Sequence, residues 1–202
     1  MKSSSKQYTT SWWEERRGKF TASQVWKLLD PERRRELICE IVAERIGLPP
    51  ATQKVRFAGS WGHRYEPIAR ALFVQQTGLK VQETGFINAV DPELQGWLGA
   101  SPDGMGEDFG IEIKALSKPK HIRFIDSGHI EPKYIIQIAT QMLVTKAPTW
   151  YYVSFHPDHE QNLAFKALAW VDMAKTISTV QEAVIEAIKD VKAEMKEWGG
   201  VQ

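Results

Sequence analysis

The sequence has one cysteine, Cys39, in 202 residues. That excludes an internal disulfide framework and the four-cysteine zinc and iron–sulfur sites, so any resident metal must be held mainly by oxygen. Long apolar runs are also missing: none approaches the roughly 18 residues of a membrane-spanning helix. The polar first ten residues lack the apolar core of a signal peptide, so the chain is expected to be soluble and cytoplasmic. There is no internal repeat, no low-complexity tract and no linker long enough to divide the chain. With 43% hydrophobic and 25% charged residues, the composition suits one domain over 1–202, with 1–10 as a loose tail.

Net charge is nearly absent too, at +1, and alone it argues neither for nor against a polyanionic partner. Its distribution says more. Residues 81–112 carry seven acids and no Lys or Arg, whereas residues 113–146 carry six bases against two acids and residues 1–60 twelve against seven. An acidic centre between basic flanks suits a protein that grips phosphates while holding divalent cations; it is also what ordinary charge fluctuation produces.

The patterning alternates between helical and extended. Ser11 can cap a short helix through Arg16, Thr21 or Ser23 can cap another, and Pro31 opens a helix that ends near Gly47. Residues 48–56, with Pro49 and Pro50, read as a loop. Trp61, Tyr65, Ile68, Ala69, Leu72 and Phe73 then recur at helical spacing, and Gly78 supplies the stop. From Leu79 short runs at 79–89, 96–101 and 110–115 look like adjacent strands, with Asp103-Gly104 as turn chemistry between the last two. A helix over 132–146, strands at 149–156 and 163–170, and a long amphipathic helix over 172–197 complete an α/β fold with a mixed central sheet flanked by helices.

The chemistry concentrates in Gly110-Ile111-Glu112-Ile113-Lys114. Strand alternation puts Glu112 and Lys114 on one face and Ile111 and Ile113 on the other. A hairpin can bring Asp103 beside Glu112, so that two carboxylates and a lysine converge. Hard oxygen ligands of this kind, with the Ile113 carbonyl as a further one, suit Mg²⁺, and Mn²⁺ as a substitute. Alone, Asp followed by Glu-x-Lys is a weak pattern, since many surface strands carry Glu and Lys two apart.

Four separated motifs narrow the reading. They are Trp13 and Arg16 with Thr21-Ala22-Ser23; Gly62 to Glu66 in a Gly-x-x-x-Glu pattern; Ser101-Pro102-Asp103-Gly104 with Glu112-Ile113-Lys114; and Tyr134-x-x-Gln137 with Gln141. Together, over roughly residues 12–155, they resemble the lambda exonuclease family, the viral-type recombination alkaline exonucleases of the PD-(D/E)xK nuclease superfamily. The resemblance implies that Asp103 and Glu112 bind the metal, that Lys114 assists an attacking water and that Glu66 completes the acidic cluster. Without it, Glu66 reads as an exposed helix-face carboxylate. It further implies that Arg16, Ser23, Ser101 and Gln137 bind a terminal 5′-phosphate; by themselves these are a surface arginine, a helix cap, a turn serine and a helix-face glutamine.

The implied activity is Mg²⁺-dependent 5′→3′ digestion of one strand of linear double-stranded DNA to mononucleotides, leaving a 3′ single strand for recombination. Family members act as homotrimeric rings with a single-strand annealing protein, which would place a phage or prophage product in the cytoplasm of a bacterial host. An endonuclease of restriction or repair type and a non-catalytic DNA-end-binding protein are the alternatives. The first would cut circular DNA, and the second gains nothing from a metal-holding cluster facing phosphates. Arg33, Arg34 and Arg35 either contact the DNA backbone or line a solvated helix face. Trp12, Trp13, Trp26, Trp61 and Trp97 either stack on bases or belong to the core. His63, His121 and His129 have no metal-ligand spacing. The family's strand-separating apolar wedge has no counterpart at Gly59-Ser60, which leaves the loop from Pro49 to Phe57 as its expected source.

Overall fold

The computed structural model describes residues 7–48 and 60–198. The apolar wedge expected from Pro49–Phe57 therefore lies outside the described residues, as do Gly59 and the Ser60 side chain. The elements run α1 (Thr10–Arg16), β1 (Phe20–Thr21), a 3-10 turn (Val25–Leu29), α2 (Pro31–Arg45), α3 (Ser60–Thr77), β2 (Ile87–Asn88), β3 (Leu98–Ala100), β4 (Gly104–Met105), β5 (Phe109–Ala115), α4 (Lys118–Ser127), α5 (Pro132–Thr145), β6 (Thr149–Phe155), β7 (Leu163–Ala169) and α6 (Trp170–Glu197). No helix among the described residues is long and apolar enough to cross a membrane.

Two mixed sheets replace the single one expected. β1, β3 and β2 form a small sheet in which β1 runs parallel and β2 antiparallel to β3. The larger sheet has the order β4-β5-β6-β7, with β5 and β6 parallel in full register from Phe109↔Thr149 to Ala115↔Phe155. Strands 96–101 and 110–115 are thus not neighbours: Ser101 to Asp103 carries the chain from one sheet to the other. The turn lies at 106–108, where the Gly106 N–H donates to the Phe109 carbonyl at 2.8 Å. Asp103-Gly104 is instead the entry to β4, and Gly104 is required there because a Cβ would meet Val81 at 2.4 Å and Ile111 at 3.1 Å. Of the run 79–89, only Ile87–Asn88 pairs as a strand, with one further bridge from Gln82 to Met105.

α5 is the central helix. It is apolar nearly all round, with Ile138, Ala139, Met142, Leu143 and Val144 buried, and packs against β2, β3, the 3-10 turn, β6 and α6. A helix of that composition has no solvent face. Its Gln137 and Gln141, one turn apart, must find partners inside, and those partners form the site below. On the opposite face of the large sheet, Ala69 and Phe73 of α3 bury Ile111, Ile113, Val153 and Phe155.

Local signals explain most helix ends. Asp30 caps α2 by accepting from the N–H groups of Glu32 and Arg33, with Pro31 in the first turn. Gly78, at φ +71, ends α3. The cap of α1 is Thr9 rather than Ser11, its Oγ1 accepting from the Trp12 N–H at 3.3 Å. No cap helix follows Thr21 directly; the chain makes the short 3-10 turn. Within the stretch expected to be loose, Gln7 is held in place, its side chain donating to the Thr84 and Pro102 carbonyls at 3.0 and 2.9 Å.

Candidate active site

β5 delivers Glu112 and Lys114 to the α5 face and Ile111 and Ile113 to the α3 face, as alternation requires. Glu112 is 1% exposed. Burying a carboxylate that deeply is costly unless it is paired and hydrogen-bonded. Here Gln137 Nε2 donates to Oε1 at 2.7 Å, Gln141 Nε2 to Oε2 at 2.5 Å, and the Lys114 ammonium lies 2.5 Å from Oε1. Lys114 also donates to Gln137 Oε1 at 3.2 Å and stands 4.7 Å above the Tyr134 ring. Burial alone would lower the lysine pKa, but Glu112 and Asp103 outweigh it and raise it, so the ammonium stays charged.

Asp103 reaches this group from the short β4 side. Its Oδ2 accepts from the Ile113 N–H at 2.6 Å. β4 begins only at Gly104, opposite Ile111, so the edge of β5 beyond Ile111 lacks a strand partner and a side-chain oxygen takes its place. The carbonyl of Ile113 points to the same edge as its N–H, beside the Asp103 carboxylate. Glu66, on α3, pairs with Arg70 at 2.6 Å; Arg70 also donates to the Asp103 carbonyl at 2.8 Å and pairs with Glu83. Burial, then the neighbouring charges of Glu112 and Glu66, push the Asp103 carboxyl well above its usual range. Burial and Glu112 likewise raise Glu66, against the opposing pull of Arg70.

Three carboxylates crowded against the limited charge of Lys114 and Arg70 form a site short of cations, and that deficit fits a divalent ion. Among the described residues no group of three His, Cys, Asp or Glu side chains could hold an ion unaided. A cation at Asp103 and Glu112 would thus complete its shell with the Ile113 carbonyl, water and substrate oxygens, which is how Mg²⁺ is usually bound.

A second corner lies at the end of the small sheet. Arg16 Nη1 and Trp12 Nε1 both donate to Ser101 Oγ, at 3.2 and 2.9 Å, and the guanidinium stacks 4.1 Å above the Trp12 ring. Burial lowers the Arg16 pKa to about 10, which leaves it charged at neutral pH. Because β1 and β3 are parallel with Thr21 opposite Gly99, Ser23 and Ser101 leave the sheet at the same end; Ser23 is exposed, and the Thr21 and Ser23 hydroxyl oxygens are 3.4 Å apart. Gln137, expected in this corner, is bound to Glu112 and Lys114 instead. That places it with the carboxylate group. It and Gln141 fix the orientation of Glu112, a role that an i, i+4 glutamine pair on an apolar helix already signals.

The remaining candidates fall elsewhere. Arg34 pairs with Asp190 at 2.7 Å and Glu186 at 3.6 Å, Arg35 with Glu194, and Arg33 with Asp30 at 3.4 Å while covering Trp26. The arginine run thus mainly ties α2 to α6. Trp12 is buried, Trp97 is covered by Arg45, and Trp13 and Trp61 are exposed. His121 is buried between Ser154 Oγ and the Gln161 carbonyl, His129 is half-buried, and His63 lies against Tyr8 with ring centroids 3.7 Å apart.

The fold matches that of the alkaline exonuclease LHK-Exo of Laribacter hongkongensis, at 29% sequence identity over 95% of this chain and 96% of that one, with a TM-score of 0.84. Against the same enzyme in complex with dAMP the identity is 28%, the coverage 94% and 96%, and the TM-score 0.82. A phage-related exonuclease of Haemophilus somnus shares the fold at 11% identity, with 85% and 96% covered and a TM-score of 0.50. A comparison with curated protein sequences finds no match. The resemblance carried by four separated motifs agrees with these structural relatives, and residues 11–148, well over half of the chain, match the YqaJ-like viral recombinase domain, the family to which this chain belongs.

Proposed function

We propose that the chain is a Mg²⁺-dependent 5′→3′ exonuclease that starts at a phosphorylated end of linear duplex DNA and releases mononucleotides. The observation that carries this reading is the convergence of Asp103, Glu112 and Lys114 at the open edge of β5, with Glu66 beside them. Asp103, Glu112 and the Ile113 carbonyl would hold the ion, which when bound supplies an activated water and neutralises phosphate charge. Lys114, kept protonated by Glu112, donates toward the attacking water and the phosphoryl oxygens as charge develops there. Gln137 and Gln141 hold Glu112 in place and so spare the site reorganisation during the reaction.

The Arg16 and Ser101 corner supports the choice of end. A stacked guanidinium with no ion pair among the described residues keeps part of its planar fork for phosphate oxygens, and Ser101 and the exposed Ser23 add hydroxyls. The dAMP bound in the complexed relative is chemically a mononucleotide product, which is consistent with release of single nucleotides here. A homotrimeric ring, a single-strand annealing partner and a single nuclease unit over 1–202 are part of the same proposal and rest on the family resemblance.

Linear 5′-phosphorylated, linear 5′-hydroxyl and covalently closed duplex, incubated with Mg²⁺ or with chelator, test this reading. The phosphorylated linear substrate should be degraded fastest, the closed circle should survive, and chelation should stop all turnover. Cutting of the closed circle would instead mark an endonuclease. Arg16→Ala should lower the rate on the phosphorylated end by about 10- to 100-fold, the effect expected from losing a charge-assisted contact, and leave the hydroxyl end nearly unchanged. Equal losses on both ends would remove Arg16 from the phosphate site.

A further inference from the structure

Tyr8 is an outlier in conformation and in place. Its φ of +68 lies in the left-handed region, which a tyrosine rarely adopts and which costs energy without a glycine. The strain is held by its neighbour: Gln7 is fixed to the Thr84 and Pro102 carbonyls, the latter in the segment that carries Ser101 and Asp103. The result is a ring set between the two corners of the site. Its centroid is 5.0 Å from that of Trp12, the residue under Arg16, with the rings tilted by 43°, and 3.7 Å from that of His63, on the α3 turn that carries Glu66, with the rings at 76°, so neither neighbour lies parallel to it. Half of the tyrosine, 52%, is exposed, although an aromatic ring in a polar site gains most from being covered. The phenol senses both corners: after burial, Glu66 and Asp103 raise its pKa to about 12, and Arg16 opposes them.

A terminal nucleotide with its 5′-phosphate on Arg16 and Ser101 and its 3′ phosphodiester at Asp103 and Glu112 must carry its base past this gap. We infer that the Tyr8 ring is the stacking platform for the 5′-terminal base of the DNA strand, held by the strained Gln7-Tyr8 segment between the phosphate corner and the carboxylates. The inference rests on the exonuclease reading for the position of the strand. Stacking tolerates every base because each has a π face, so the platform suits an enzyme that must accept whichever nucleotide comes next.

The test uses the full chain and a 5′-phosphorylated duplex whose 5′-terminal base is 2-aminopurine, bound in chelator so that no turnover occurs. Binding should quench the 2-aminopurine fluorescence in the parent protein and in Tyr8→Phe, which keeps the ring. Tyr8→Gly relieves the backbone, so a purely structural role predicts equal or better behaviour from it. The platform predicts loss of the quench and affinity weaker by about tenfold, within the range measured for base–aromatic stacking. With an abasic 5′-terminal nucleotide, parent and Tyr8→Gly should bind alike. An undiminished quench in Tyr8→Gly, tighter binding by that variant, or no quench in the parent overturns the inference. The two readings fail separately: Tyr8-dependent quenching without degradation in Mg²⁺ sinks the nuclease alone, and degradation with Tyr8-independent quenching sinks the platform alone.

Discussion

Lys114→Ala is expected to slow degradation of linear duplex by about 10²- to 10³-fold, the usual cost of removing a donor aimed at developing charge, while DNA binding in chelator persists. The lysine is half-buried on the Glu112 face with its ammonium 2.5 Å from the carboxylate and within reach of Gln137. That position is too deep for a major share of duplex binding but suited to one phosphate. The variant also leaves Glu112 with two amide donors and no adjacent cation. Breaking a buried pair in this way costs about 3–5 kcal/mol when nothing compensates, but Gln137 and Gln141 still donate to both oxygens, so a smaller fall in thermal stability is expected. Lys114→Gln provides the control. It restores a neutral donor toward Gln137 without restoring charge, and should recover stability more than turnover. Equal turnover in parent and Lys114→Ala would remove the lysine from the mechanism.

The centre of the site was legible because it depends on local periodicity. Alternation over Gly110–Lys114 needs no knowledge of the rest of the chain, and β5 presents Glu112 and Lys114 together as that period requires. Asp103 was legible for a less direct reason. The hairpin expected between 96–101 and 110–115 does not form; β5 pairs with the two-residue β4 across a turn at 106–108, and the Asp103 carboxylate, just before β4, meets Ile113 through a side-chain hydrogen bond and not as a turn residue. The division into two sheets was not legible: strand pairing is set by which edges meet in the folded chain, and β1, two residues with no alternation to read, pairs with β3 across more than seventy positions.

Residues 116–131 carried no expected helix, yet α4 occupies Lys118–Ser127. Its signals were present, with Pro119 in the first turn and Gly128 at φ +64 just past the end. Lys118, Lys120 and Arg123 masked the periodicity, since only His121 and Phe124 are buried. Arg33 to Arg35 show the opposite case. The run read as either a DNA-backbone contact or a solvated helix face because a sequence cannot show that Glu186, Asp190 and Glu194, more than 150 positions later, approach it. Tyr8 was illegible for a third reason: nothing in a polar tail shows that Gln7 will be held by two carbonyls of a distant loop.

Asp103→Asn is expected to abolish Mg²⁺-dependent turnover, by about 10³-fold or more given what a metal contributes to charge stabilisation, and at the same time to make the protein more stable without metal. The amide oxygen of asparagine can still accept from the Ile113 N–H, so the link from β4 to β5 survives, while one of three crowded carboxylates loses its charge. The Asp103 carboxyl is raised above its unfolded value by burial, Glu112 and Glu66. The folded state therefore holds this proton to higher pH than the unfolded chain does, and the contribution of Asp103 to stability falls as pH rises from about 4 through the folded value. Glu66, raised by burial and Glu112, adds in the same direction. Other groups titrate across this range, so the readout is the difference between parent and variant. In chelator the variant should gain on the parent as pH rises above the unfolded carboxylate value of about 4, reaching an advantage of about 2–4 °C in Tm, the shift that roughly 1 kcal/mol produces at this chain length. Added Mg²⁺ should reverse the order near pH 8, because only the parent keeps both carboxylates proposed to hold the ion and so would gain the stabilisation of a bound ligand. A Mg²⁺-induced rise in Tm that is equal in the two proteins, or a variant that melts below the parent in chelator at every pH, would show that Asp103 neither holds the ion nor bears the crowding of the acidic cluster.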